Sequence, residues 1–335
     1  MTQNQSSKWK DFLLKSSLPL EHIVSEELER QSFYVVGEYA YQKANENSIQ
    51  TEFSVDIHAS LLLEQKQASW AEINLLVECK YCYPGVQWIF SPHPAASTIV
   101  GSDCIKHWDG LCTHRLKSTE PLRDFDDQFT YCIRGVEIHS SGSDPNNISR
   151  GLNQLRYALP TLVVQQARAQ ATTLHEEDLT LAFTCPVLLT TAQLYVLRPA
   201  LDLRYFQKAS ALDEVARPVK SLVFHRQPGP QYAAYCRETY SKLEEEDFEI
   251  RARAAKFEEA FNTPQDDTPL YRRHSLFEHF EFLSTNILIV QLDTFPSLVK
   301  SIKRAVSKLR KSLERIAELR FDPETRAVSI TKHTP

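Results

Sequence analysis

The order of apolar and polar residues near the start of the chain predicts one helix followed by three strands. Apolar residues recur at helical spacing within 18–31, which is typical of an amphipathic helix. The segments 32–42, 51–60 and 73–82 are rich in β-branched and aromatic residues, which favours strands. A helix that leads directly into several strands indicates a protein with mixed secondary structure, of the α/β class.

Further along the chain, the same patterns predict another helix and several more strands. A helix is expected over 148–171, with a kink at Pro160 because proline interrupts helical hydrogen bonding. Additional strands are predicted at 129–140, at 219–225 and, as a pair, within 179–197. Residues 84–127 show little periodicity and predict an irregular insertion, with one strand candidate at Val86–Phe90. We therefore expect a first domain over 1–228 and a mainly helical region over 229–335.

The C-terminal region ends in a segment whose apolar residues follow nearly heptad spacing from 298 to 316. The other faces of this predicted helix carry several basic residues, which include Lys303, Lys308 and Lys311. Clustered cations on one helix can bind the phosphates of DNA. The same charges can also simply solvate a helix that packs in an assembly, and both interpretations stay open.

Composition excludes several functional classes. The 335 residues include only 8 glycines, and neither a G-x-G-x-x-G nor a P-loop pattern occurs, which argues against a nucleotide-driven enzyme. No apolar run is long enough to cross a bilayer, and the N-terminus lacks the apolar segment of a secretion signal. The 7 irregularly spaced cysteines favour reduced thiols, so a cytoplasmic location is expected. The net charge of −5 gives no general attraction to nucleic acid.

The most informative residues are three charged side chains within two predicted strands. Asp56 lies in the first strand, and Glu78 and Lys80 lie in the second. Because side chains alternate along a strand, Glu78 and Lys80 share one face, and Asp56 reaches that face if the strands are neighbours. Charges in an apolar strand are costly unless they bind something. Two carboxylates on a rigid sheet are well suited to Mg²⁺.

This pattern resembles the PD-(D/E)XK, or restriction-endonuclease-like, nuclease superfamily. Asp56 matches the first acid, and Glu78-Cys79-Lys80 matches the E-x-K motif, although Val55 stands where many members have proline. The helix followed by a strand is similar to the opening of the Mrr-like branch, where a glutamate near the helix start corresponds to Glu21.

The resemblance implies a mixed β-sheet core flanked by helices. It further implies Mg²⁺, or Mn²⁺ in its place, bound by Asp56, Glu78 and the backbone carbonyl of Cys79. Lys80 would act as a catalytic base or as an electrostatic stabiliser, with Glu21 as an additional acid. The helix after the E-x-K strand would place Gln154 near the substrate.

The expected activity is metal-dependent hydrolysis of DNA phosphodiester bonds by an endonuclease. A homo-oligomer or a regulatory protein partner is expected because cleavage of both strands requires two sites and must be restrained in the cell. A bacterial defence or restriction-type effector fits by analogy with the family. Two alternatives remain open: a catalytically inactive scaffold that binds nucleic acid or assembles a complex, and an RNase with the same site.

Simpler interpretations of the same residues also exist. Asp56, Glu78 and Lys80 can form a cross-strand ion pair, although such a pair leaves one acid without a partner. The Cys79-x-x-Cys82 spacing is compatible with zinc, yet Cys79 is expected to face the core, where free cysteine packs as a small apolar residue.

Overall fold

A computed structural model defines the positions of most of the chain. The described residues are 8–44, 50–63, 70–94, 104–108, 114–116, 118–139, 142–144, 146–172, 180–246, 285–310, 313–315, 317–322 and 327–332.

Helices and strands alternate irregularly along the described residues. The helices are α1 (Lys8–Lys15), α2 (Leu18–Arg30), α3 (Glu120–Asp126), α4 (Asn146–Thr172), α5 (Leu203–Lys208), α6 (Leu212–Val215), α7 (Pro230–Glu246) and α8 (Phe295–Arg310). The strands of the first half are β1 (Tyr34–Ala44), β2 (Gln50–Leu63), β3 (Trp70–Lys80), β4 (Gln87–Pro92), β5 (Lys106–Trp108), β6 (His114–Leu116), β7 (Tyr131–His139) and β8 (Gly142–Asp144). Those of the second half are β9 (Thr180–Thr190), β10 (Gln193–Leu197), β11 (Ala216–Val219), β12 (Ser221–His225), β13 (Asn286–Gln291), β14 (Leu313–Arg315), β15 (Ala317–Asp322) and β16 (Ala327–Lys332).

Twelve of these strands form one mixed sheet. Its order is β1-β2-β3-β9-β13-β12-β7-β4-β10-β11, with β5 paired to β9 and β8 paired to β7. Strand β2 pairs antiparallel with both β1 and β3, and β9 and β13 run parallel to β3. The predicted α/β class is confirmed, because helices cover both faces of this sheet.

The two faces of the sheet bury separate apolar cores. On one, which we call the α8 face, Val24 of α2 and Ile302 of α8 pack against strand residues such as Val77. On the other, the α4 face, Leu155 of α4 packs against residues such as Leu76. Because helices cover both faces, successive residues of β3 are buried on either side of the sheet, including every position from Ile73 to Cys79.

Strand pairing joins the two predicted regions of the chain in one sheet. Strand β13 comes from beyond residue 228, yet it lies between β9 and β12 and pairs with both. Residues 84–127 supply β4, which corresponds to the strand candidate at Val86–Phe90, and also β5 and helix α3. The pairing of these strands could not be predicted because pairing over long sequence distances leaves no local signal.

The C-terminal region contains both helices and strands in its described residues, and the part of the predicted helical region at 247–284 lies outside them. Helix α8 ends at Arg310, and the described residues after it form β14, β15 and β16. The near-heptad spacing therefore applies to α8 alone, whose apolar residues Leu298, Ile302 and Val306 are buried on the α8 face. Among the described helices, none combines the length and the apolar character needed to span a membrane.

The position of β13 leads to a prediction about the predicted first domain. A fragment of residues 1–228 should fail to fold cooperatively, because β9 and β12 would lose the strand between them and an unpaired edge is unstable. Urea unfolding followed by circular dichroism, with the full chain as reference, tests this. A cooperative transition of the fragment with native-like stability would contradict the role assigned to β13.

Candidate functional site

Strand β2 separates from β3 at Asp56. The two strands pair from Leu63↔Ala71 to Ile57↔Val77, and the ladder stops there. On its other side, β2 has an irregular register with β1, so that Asp56 and Ile57 lie opposite Glu38. In place of a ladder bond, the backbone N–H of Cys79 donates to Asp56 Oδ2 at 2.7 Å. The carboxylate of Asp56 is therefore held against the end of β3.

The backbone of Cys79 faces the same gap. In an extended strand, the N–H and the C=O of one residue point to the same side. Because the N–H of Cys79 points to Asp56, its carbonyl also points to the β2 side. The next residue points the opposite way, since the carbonyl of Lys80 accepts from Thr190 Oγ1 of β9 at 3.0 Å.

Glu78 is the most buried charged group of this region. Its side chain is 0% exposed, between β3 and α4, and Oε1 accepts a hydrogen bond from Lys80 Nζ. The second oxygen, Oε2, is buried without a hydrogen-bond partner among the described residues. A buried carboxylate oxygen without a partner is destabilising. Oε2 is therefore available to bind a proton or to coordinate a metal ion.

Lys80 is held by groups from two other elements. Besides Glu78, its ammonium donates to Gln154 Oε1 of α4 at 3.3 Å. The amide nitrogen of Gln154 in turn donates to the carbonyl of Ser54 at 3.0 Å. The Lys80 side chain is 19% exposed, so solvent reaches the group that the buried partners orient.

The close approach of α4 to these side chains depends on Gly151. A Cβ at this position would lie 2.6 Å from Leu188 Cδ1, 3.2 Å from Lys80 Cε and 3.5 Å from Glu78 Cγ. Any larger residue would push the helix away from the sheet. Gly151 thus allows Gln154, one turn further along, to reach Lys80.

Two further carboxylates approach the site from the side of Asp56. Glu21 lies in the first turn of α2 and is half-buried. Burial is the main cause that raises its pKa, repulsion from Asp56 and Glu38 raises it further, and Lys80 lowers it. Two other acids of α2 are engaged locally: Glu26 lies 3.5 Å from His22, and Glu27 pairs with Arg30 at 2.9 Å. Glu21 is therefore the acid of this helix that is coupled to Asp56.

The electrostatics of the centre reflect crowding of acids around a single ammonium. Burial is the largest cause that raises the pKa of Glu78, to about 8, and repulsion from Asp56 adds to it, while Lys80 opposes both. Burial also raises the pKa of Asp56, while the hydrogen bond from the Cys79 N–H and the charge of Lys80 lower it. Carboxyl groups that are buried together share protons or bind a cation.

The residues present fit a hard divalent cation. The available donors are the Asp56 carboxylate, the unpartnered Oε2 of Glu78 and the backbone carbonyl of Cys79, and Mg²⁺ prefers such oxygen ligands. Within the described ranges, no group of three or more His, Cys, Asp or Glu side chains is arranged as a metal site. The donor set at Asp56 and Glu78 has only two side-chain ligands, and its third donor is a main-chain oxygen. It therefore does not belong to the class of sites with three or more such side chains.

The predicted basic residues of the C-terminal region lie elsewhere. Lys303 Nζ donates to the carbonyl of Gln31 at 2.7 Å, which ties α8 to the end of α2 on the face opposite to Glu78. This contact uses the ammonium of Lys303 in helix packing, and substrate binding by Lys303 stays a prediction. Lys308 is exposed on α8, and Lys311 lies outside the described residues.

The alternative zinc site is wrong for the first cysteine pair. Cys79 belongs to the α8 face and Cys82 to the α4 face, so the sheet separates the two sulfur atoms. Both thiols are buried, and burial raises their pKa values, which disfavours the thiolate that zinc requires. In the described chain these cysteines act as core residues.

Two residues of the site were missed by sequence reasoning. Glu38 has the same signal as Asp56, a charge within a β-rich segment, but its strand was interpreted only by composition. Gly151 has no signal in a single sequence, because a glycine in a helix looks like a weakness until the contact with Lys80 and Glu78 is seen.

Comparisons with protein families, with curated proteins and with solved structures give no match to this chain.

The raised pKa of Glu78 predicts how stability depends on pH in buffer without divalent cations. Between the ordinary value of 4.5 and about 8, folded Glu78 keeps a proton that the unfolded chain has released. The free energy of unfolding should therefore fall as the pH rises through this window, by up to about 1.4 kcal/mol per pH unit. Urea unfolding at pH 6, 7 and 8 with EDTA measures the slope.

Two variants on β3 serve as test and control. Glu78→Gln should remove most of the slope and stabilise the chain at pH 8, since the amide has no proton to lose. Glu72→Gln changes a partly exposed acid of the same strand and should leave the slope as it is. Equal slopes in all three proteins would show that Glu78 does not titrate in this range.

Proposed function

We propose that the protein is a metal-dependent phosphodiesterase of the PD-(D/E)XK type that cleaves DNA as an endonuclease. The observation that carries the proposal is the convergence of Asp56, Glu78 and Lys80 where β2 leaves β3, with one buried oxygen of Glu78 unpartnered. An ion pair with Lys80 provides a partner for one oxygen of Glu78 only. The ion pair does not account for two more acids near it, Asp56 and Glu21.

The element order supports the same assignment. Helix α2 carries Glu21, β2 carries Asp56, β3 carries the E-x-K residues and α4 carries Gln154, which is the order that the resemblance implies. The four strands β1, β2, β3 and β9 are neighbours in the sheet, with α2 and α4 on opposite faces. A restriction-endonuclease-like core within the larger sheet is therefore part of the proposal.

The ligands for the cation are Asp56, Glu78 Oε2 and the Cys79 carbonyl. When bound, Mg²⁺ or Mn²⁺ lowers the pKa of a coordinated water and offsets charge that develops on the phosphate. The chain must release the proton of Glu78 before that oxygen can serve as a ligand, because burial keeps its pKa near 8. Binding of the cation is accordingly expected to strengthen with pH.

Lys80 supplies the charge that the phosphate meets. Its ammonium is fixed by Glu78 and Gln154 but remains partly exposed, so it can orient the attacking water and stabilise the negative transition state. The water displaces the 3′ oxygen and leaves a 5′ phosphate on the product. Gln154, anchored to the carbonyl of Ser54, positions Lys80 for this role.

The assembly expected of the enzyme follows from its task. Cleavage of both strands needs two such centres, so a homo-oligomer or a partner protein belongs to the proposal. Restraint by that partner, in the cytoplasm of a bacterial cell, fits a defence or restriction-type effector by analogy with the superfamily.

A second candidate is a scaffold in which the centre has lost activity. The contact between Lys80 and Glu78, together with the complete burial of Glu78, favours it, because a closed ion pair needs no cation. A third possibility, an RNase with the same site, differs only in substrate.

Cleavage assays separate these functions. Supercoiled plasmid and a transcript are incubated in parallel with Mg²⁺ or Mn²⁺, and we expect the plasmid to be cut. Asp56→Asn, Glu78→Gln and Lys80→Met should each lower the rate by at least about 100-fold, since each removes a charge that the reaction needs. These variants keep the size of each side chain, and Asn can still accept the N–H of Cys79.

The control is again Glu72→Gln, which should cut at the wild-type rate. Full activity of any one of the three site variants would refute the assignment of that residue. Cleavage of the transcript alone would favour the RNase, and cleavage of neither substrate the scaffold.

Calorimetry tests the metal separately from cleavage. Ca²⁺ or Mg²⁺ titrated at pH 7 should bind with release of about one proton, because Glu78 must ionise to become a ligand. The proton appears as a difference in the observed heat between buffers with low and high ionisation enthalpy. Glu78→Gln and Asp56→Asn should abolish the binding.

A scaffold predicts a different calorimetric result. It should show no heat that depends on Asp56 or Glu78, since the ion pair would satisfy the site. Binding that survives in both variants would place the cation at another site and would also contradict the proposal.

A further inference from the structure

A cavity of about 510 Å³ opens immediately beyond the candidate centre. It lies where β3 ends, and its lining includes Tyr81, Tyr83, Glu137, His139 and Asn147. This volume is in the range of pockets that bind small molecules. The remaining lining residues are Cys82, Pro84, Gly85 and Val86, so the cavity combines apolar and aromatic surface with a few polar groups.

Glu137 is the acid of this cavity, and it is fixed in place. Its side chain belongs to β7 and the residue is 6% exposed. One oxygen, Oε2, accepts from Trp88 Nε1 at 2.7 Å, from Asn147 Nδ2 at 2.9 Å and from Cys82 Sγ at 3.8 Å. These three contacts all involve Oε2, so they orient the carboxylate, and the same side chain lines the cavity. The other oxygen, Oε1, is an acceptor that a ligand in the cavity can use.

Two tyrosines line the mouth of the cavity. Tyr81 and Tyr83 contact each other edge to face, with ring centroids 5.5 Å apart. Tyr83 is 39% exposed, so its ring is open to a planar molecule. Aromatic side chains of this kind stack on nucleic-acid bases regardless of sequence.

The cavity and the candidate centre are neighbours along two elements. Tyr81 follows Lys80 directly in the chain. On α4, Asn147 and Gly151 are one turn apart, about 6 Å along the axis, and they contact Glu137 and the Glu78–Lys80 pair respectively. A nucleotide whose phosphate lies at Lys80 can therefore place a base against the cavity.

The chemistry of the cavity selects among bases. An ionised carboxylate only accepts hydrogen bonds, so it favours a base with an exocyclic amino group. Cytosine, adenine and guanine have such a group, whereas thymine has a carbonyl oxygen and a methyl group in the corresponding place.

We propose that this cavity is a nucleobase pocket, in which Tyr83 stacks on an unpaired base and Glu137 Oε1 accepts from its exocyclic amino group. The inference rests on the proposed nuclease function for its biological setting. It assigns to the substrate strand an unstacked base next to the scissile phosphate, as in enzymes that read bases outside the duplex.

The test uses free deoxynucleoside monophosphates, so that it is independent of cleavage. The full chain, in buffer with EDTA, is titrated with dCMP, dAMP, dGMP and dTMP, and the indole N–H signal of Trp88 is followed by NMR. That signal, assigned with Trp88→Phe, reports on Glu137 because the indole donates to its carboxylate. The three amino-bearing nucleotides should bind about two- to tenfold more tightly than dTMP, the factor that one additional hydrogen bond gives.

Variants distinguish stacking from hydrogen bonding. Tyr83→Ala changes an exposed side chain and should weaken all four nucleotides by about fivefold or more, the range of one lost stacking contact. Tyr205→Ala, at a 61% exposed tyrosine on α5, is the control and should change nothing. Glu137→Gln should remove or reverse the preference over dTMP, because an amide can donate to the thymine carbonyl.

The outcomes separate this proposal from the nuclease. If plasmid is cut but no nucleotide shifts the Trp88 signal, the pocket is refuted and the nuclease stands. If dTMP binds as tightly as the others, the role of Glu137 is refuted, and an unchanged affinity in Tyr83→Ala refutes stacking. If the amino-bearing nucleotides bind but nothing is cut, the pocket stands as a nucleotide site and the nuclease fails.

Discussion

The burial of the Glu78 carboxylate is the constraint on which the rest of the site depends. A carboxylate between a sheet and a helix is stable only when its oxygens are matched by donors, by a proton or by a cation. One ammonium, that of Lys80, matches one oxygen, and Gly151 lets α4 come close enough to keep that ammonium in place. The second oxygen has no such match in the described chain, so protonation is the state that the raised pKa indicates in the absence of a cation. Where β2 separates from β3, Asp56 places a second carboxylate close to Glu78. The repulsion between the two acids makes a proton or a cation at this point more favourable.

Local pattern was enough to predict the elements that carry this site. Three predicted elements, the helix at 18–31 and the strands at 51–60 and 73–82, correspond to α2, β2 and β3. Local pattern predicts them because the residues that each element buries recur at the period of a helix or a strand. The same reasoning did not predict the partners of each strand. The place of β13 between β9 and β12, for example, depends on pairing with strands that are distant in the sequence. The tail beyond Arg310 was predicted as helix from spacing alone, and tertiary context gives strands instead.

The sequence also allowed some of the charged residues of the candidate centre to be selected, but not their partners. Charges inside an apolar strand are visible in the sequence, which is why Asp56, Glu78 and Lys80 were selected. A charge is informative in this way only when its strand is known to be buried, and Glu137 lies in a strand with alternating exposure, where a glutamate attracts no attention. Its significance depends on Trp88 and Asn147, which are distant in sequence. Lys303 shows the limit in the other direction, because a basic helix face does not reveal in sequence that one of its cations contacts the end of another helix.

The late position of β13 has a consequence for how the protein comes into being during translation. Strands from β1 to β12 emerge from the ribosome first, and they leave the edges of β9 and β12 incomplete until residue 291 has been made. A nascent chain of this kind folds slowly, because its sheet closes through contacts between distant segments. It also exposes edges that can pair with other chains. The sheet is completed long after Asp56, Glu78 and Lys80 have been synthesised, so the three charges come together only late in the synthesis of the chain.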